Sequence, residues 1–75
     1  MDRQEHKMAM RAKARLAKGL VNLLADDTEQ MCIDVDDFDV FSLEEAIRES
    51  KRTSQNLIDT IRDLERDLRI IKRDA

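Results

Sequence analysis

Met31-Cys-Ile-Asp-Val-Asp-Asp-Phe-Asp-Val-Phe-Ser-Leu-Glu-Glu45 is the stretch on which the fold turns. Its apolar residues Ile33, Val35, Phe38, Val40 and Phe41 come at strand-like spacing between aspartates. Val, Ile and Phe favour extended backbone, and repeated Asp disfavours helix. The pattern predicts an extended, acidic connector over residues 26–41, either a short strand or a loop packed along the helices that precede and follow it. That is longer than the usual helix–helix link of about 2–8 residues.

On the C-terminal side, Ser42-Leu-Glu-Glu45 has the form of a capping box, in which the Ser42 hydroxyl accepts from the backbone N–H of Glu45. A helix is expected over 43–73. Leu43, Ser50, Leu57, Leu64 and Ile71 recur every seven residues, and Ile47, Ser54, Ile61 and Leu68 interleave with them. Seven of these nine positions are apolar, where composition alone would supply about four. Such a 3–4 repeat is a coiled-coil seam. Ile47, Leu57, Ile61, Leu64, Leu68 and Ile71 are its expected dimer contacts, with the two serines leaving room for a second helix.

On the N-terminal side a helix is expected over 3–25. Met8, Ala9, Ala12, Leu16, Leu20, Leu23 and Leu24 share one stripe, with Lys7, Arg11, Arg15 and Lys18 opposite. Gly19, on the edge of that stripe, is read either as a place where another helix comes close or as a kink. The fold class that follows is all-α: a helical hairpin with a long, coiled-coil-like second helix and a short extended acidic connector, paired into a dimeric bundle.

The chain has 75 residues, one cysteine, one histidine, one glycine and no proline. A chain this short buries too little surface to form a strong core alone. Cys32 has no cysteine to pair with and His6 no second histidine, which leaves oligomerisation as the expected support. Cys32, between Met31 and Ile33, is read as a small buried apolar residue. No apolar run reaches the roughly 18 residues of a membrane span, and the charged start Met-Asp-Arg-Gln-Glu-His has no secretory h-region. A cytoplasmic setting is expected.

Net charge is −3, but it is unevenly spread. Residues 1–25 are basic, 26–50 hold ten Asp/Glu against Arg48, and 51–75 are mixed. Nucleophilic catalysis needs matched groups and a supporting turn, and Cys32 with His6 offers neither; no enzymatic activity, cofactor or metal is expected. An EF-hand count from Asp34 through Asp36, Ser42 and Glu45 fails at Phe38 and Asp39, where a ligand and a glycine belong.

Two binding surfaces remain. Asp34, Asp36, Asp37, Phe38 and Asp39 combine dense negative charge with an aromatic anchor, a combination that docks on basic, apolar grooves of partner proteins. The run Asp36-Asp-Phe-Asp-Val-Phe41 resembles, over six residues and without a terminal carboxylate, the acidic phenylalanine-ended tail by which bacterial single-stranded DNA-binding proteins recruit partners. Phe41 is also placed to act as a hydrophobic staple before Ser42. The expectation is a homodimeric regulator, inhibitor or adaptor, of the kind found in compact genomes such as those of phages. The alternative is a nucleic-acid-binding dimer that uses Lys7, Arg11, Arg15 and Lys18 along phosphates. Membrane binding ranks below both.

Overall fold

The computed structural model describes residues 3–74, with the Asp74 side chain excepted. The chain is an elongated all-α hairpin of two antiparallel helices, α1 (Arg3–Asp36) and α2 (Val40–Asp74). Its long axis measures 54 Å against 15 and 12 Å across. Among the described residues no helix is long and apolar enough to cross a membrane.

The first helix does not stop at Ala25. It runs to Asp36, and the expected connector over 26–41 shrinks to Asp37–Asp39. The alternation of Ile33 and Val35 was the misleading signal, because both side chains remain exposed. The operative period is helical: Leu20, Leu24, Asp27, Met31 and Asp34 succeed one another at spacings of four and three, and all turn inward. Two of those five are aspartates, so an apolar count cannot see the stripe. Each is tied in place. Thr53 Oγ1 donates to Asp27 Oδ2 at 3.3 Å across the hairpin, and Gln30 Nε2 donates to Asp34 Oδ1 at 2.9 Å along α1. Extending an established helix costs little per residue, so these contacts outweigh the weak helix propensity of aspartate.

Between the helices the turn is a Schellman motif. The Asp39 N–H donates to the Asp34 carbonyl at 2.9 Å, and the Phe38 N–H to that of Val35 at 3.1 Å. The residue between them, Phe38, has φ 53°, the left-handed conformation usually given to glycine. The second helix then starts at Val40, three residues before the expected start at Leu43, and its cap is Asp39 instead of Ser42. Asp39 Oδ1 accepts from the Ser42 N–H at 3.1 Å, and the Asp39 carbonyl accepts the first helical bond, from Leu43 at 2.9 Å. One aspartate therefore closes α1 and opens α2, and Ser42 becomes the N–H donor of the cap.

The seam between the helices is unusually polar. From α2 it takes Leu43, Ala46, Ser50, Thr53, Leu57, Thr60, Leu64, Asp67 and Ile71, again at three–four spacing. Ala46 is the only buried apolar residue among those described; the others below a tenth exposure are Asp34, Thr53 and Thr60. Lys13 Nζ meets Asp67 Oδ2 at 2.6 Å near the open end. The α1 stripe is also rolled relative to expectation. Met8, Leu16 and Leu23 are more than half exposed, while Met10, Lys13 and Ala17 turn toward α2. Gly19 sits in an unbroken helix with nothing within 4 Å of where a Cβ would be, so neither a kink nor close approach of α2 explains it.

Candidate functional site

The hairpin tip carries both aromatic residues of the chain. Phe38 is 83% exposed and Phe41 85%, so Phe41 does not staple the helix entry. Asp36, Asp37 and Asp39 flank them, also exposed. Four of the five acidic-segment residues expected to meet a partner thus share one surface. Asp34 does not. It is 3% exposed, held by Gln30, and its Oδ2 has no hydrogen-bond partner. It belongs to the helix seam, because the helical period carries residue 34 inward where a strand would have turned it out.

Local energetics disfavours this tip. The last turn of α1 holds no basic residue, so Asp36 and Asp37 oppose the partial negative charge of a helix C-terminus. A non-glycine residue in the left-handed region costs about 1–2 kcal/mol. Only Asp39, at the N-terminus of α2, is electrostatically well placed.

The expected dimer seam divides in two. Leu57, Leu64 and Ile71 are half-buried against α1, whereas Ile47, Ile61 and Leu68 are 39%, 52% and 44% exposed. Their places toward α1, and that of Ser54, are taken by Ala46, Thr53, Thr60 and Asp67, each one residue earlier. The displaced stripe borders open apolar grooves along one side of the hairpin. One is lined by Met31, Ile47, Ser54 and Ile58, and a second, sharing Met31 and Ile47, by Thr28, Cys32, Val35 and Leu43. A third lies at the open end between Met10, Ala14, Leu64 and Ile71, with Lys7 and Arg11 on its rim. Cys32 is therefore an exposed groove residue, not a buried one.

Lys7, Arg11, Arg15 and Lys18 are all exposed and fall within about 80° of one another around α1, by the helical rotation per residue. Arg15 and Lys18 lie farther along the helix than the two at the groove rim. Among the described residues no three His, Cys, Asp or Glu side chains converge on a metal-sized site. The chain matches no protein-family model, no curated protein and no solved structure.

The signals that sequence reasoning missed are Asp39 as the shared cap and Thr53, Thr60 and Asp67 as seam residues. The periodic trace was present, since each is three or four residues from a leucine or alanine of the seam. Only their polarity concealed it.

Proposed function

We propose that this chain is a non-enzymatic, cytoplasmic protein that works by protein–protein interaction, as a homodimeric regulator, inhibitor or adaptor, and that the hairpin tip is the surface it offers. One observation carries the reading: Phe38 holds a glycine's backbone conformation yet keeps an aromatic side chain in solvent. Folding gains nothing from that ring, and strain retained on an exposed residue points to function. Phe41 beside it and the aspartates around it give the tip an apolar anchor within a negative field. Its complement is a basic surface with pockets for two phenyl rings.

The test is capture from a lysate of the source cells on immobilised wild-type chain and on the Phe38→Ser/Phe41→Ser variant. A protein retained by the first and absent from the second supports the tip as the contact; identical capture by both overturns it. Replacing Asp36, Asp37 and Asp39 with Asn keeps size and, because Asn caps as well as Asp, keeps the α2 cap. Binding should weaken and become less sensitive to salt.

The basic stripe on α1 supports the competing assignment to nucleic acid less well. No aromatic residue lies beside it to stack on bases, and the chain as a whole is acidic. Changing Lys7, Arg11 and Arg15 to Glu should leave duplex DNA affinity where it was. Tight binding at physiological salt that this variant abolishes would reverse the ranking.

A further inference from the structure

The open side of the hairpin has an ordered residue pattern. On α1, Lys7, Ala14, Thr28 and Val35 line its grooves at multiples of seven residues, and Val21 completes that series. On α2 the corresponding series is Ile47, Ser54, Ile61 and Leu68, three of them exposed large apolar residues. Residues seven apart share a helix face, so both series flank the seam on one side. That side is about 54 Å by 15 Å, a footprint near the roughly 800 Å² per partner of a standard protein interface.

Charge identifies the occupant and its direction. Residues 21–54, the tip half, hold ten Asp/Glu against three Lys/Arg. Residues 3–20 and 55–73, the open half, hold eleven Lys/Arg against five Asp/Glu. Outside the apolar stripe of α2, Glu44, Lys51, Ile58, Glu65 and Lys72 again recur every seven residues. Laid antiparallel on a second copy of itself about Ile58, this row sets Glu44 against Lys72 and Lys51 against Glu65. To within one residue, the same operation sets Ile47 against Leu68 and Ser54 against Ile61. On α1 an antiparallel match about Val21 brings Lys7 to the end of the second copy that carries Asp36.

A single twofold axis must serve both helices, and it does. The contacts Lys13–Asp67 and Asp27–Thr53 fix the hairpin register, and interpolation between them puts Val21 level with Asp59, one residue from Ile58. A parallel dimer, tip beside tip, would instead put α1 against α2 of the other copy. It would bring Lys7 toward Lys72 and Asp36 toward Glu44.

We infer that this side of the hairpin is the homodimer interface and that the two copies lie antiparallel, acidic tip against basic open end, about a twofold axis near Val21 and Ile58. The inference rests on the homodimer reading above and adds its face and direction. Both tips stay at opposite ends of the bundle, where each can engage a partner.

A charge swap tests it. Lys51 and Glu65 lie fourteen residues apart on one helix, about 21 Å by helical rise, beyond reach of each other within a chain. Lys51→Glu should weaken the dimer about tenfold in sedimentation equilibrium, since the symmetry creates two like-charge pairs. Glu65→Lys should do the same, and the double variant should recover wild-type affinity. Glu65 also bonds Arg69 of its own helix at 3.2 Å. Glu65→Lys removes that bond in the single and double variants alike, so only the coupling is read. As a second measure, spin labels on Asp37→Cys in a Cys32→Ser background should lie about 50 Å apart by helical rise from the axis. A dimer with labels within about 30 Å by the same geometry, or one without rescue in the double variant, overturns this arrangement alone. A wild-type monomer overturns the homodimer reading with it.

Discussion

Lys13 and Asp67, 54 residues apart in sequence, meet at 2.6 Å between Nζ and Oδ2 and occupy facing positions of the helix seam. Their side chains are 34% and 18% exposed, so the pair is neither a surface contact nor a fully buried one. A lysine and an aspartate at positions that elsewhere hold Leu64 and Ile71 give up apolar burial. What they supply is register. A slide of one helix past the other by a single turn leaves both charges facing apolar residues.

Removing one partner should therefore cost more than removing both. Asp67→Ala leaves Lys13 against the seam and is expected to lower unfolding free energy by about 1–2 kcal/mol. Replacing both residues with leucine should leave stability unchanged or raise it by up to about 2 kcal/mol. Urea unfolding at one fixed protein concentration checks the order, because the apparent stability of the proposed dimer would depend on concentration. If the double leucine variant were the less stable of the two, the pair would be a net stabiliser rather than a register device.

At the tip the expectation runs opposite to ordinary core logic. Phe38→Gly relieves the left-handed strain at φ 53° and removes an 83% exposed ring. Stability should rise by about 0.5–1 kcal/mol, the strain relief being partly offset by the extra freedom of an unfolded glycine. Partner capture should fall in the same variant. Loss of stability on this change would mean that the ring packs against something, such as a second chain, in solution.

The two candidate caps of α2 separate cleanly by substitution. Asp39→Ala removes the oxygen that accepts from the Ser42 N–H and should cost about 1 kcal/mol. Ser42→Ala should cost only a few tenths, since its hydroxyl caps nothing in this geometry and the helix already starts at Val40. Thermal melts of the two variants side by side decide it; equal losses would restore the capping box read from Ser42 and Glu45.

Composition and period suffice to make this chain helical and to fold its two helices back as a hairpin. Leu57, Leu64 and Ile71 fall seven residues apart, and no stretch of glycine or proline competes with helix formation. Those are local facts, set by the helical repeat and by backbone propensity. Where α1 ends, and which way each helix faces, depends on contacts between the helices. Asp27 and Asp34 count against helix and against burial when read singly, yet Thr53 and Gln30 hold them inside one. Ile47, Ile61 and Leu68 read as core but stand half in water, because the small side chains of Ala46, Thr53 and Thr60 let α1 settle one residue earlier around α2. The tip followed the same rule. Its aspartates and phenylalanines stand out by composition, but only the three-residue turn, with Asp39 bonded to both helices, put Phe38 and Phe41 outside and Asp34 within.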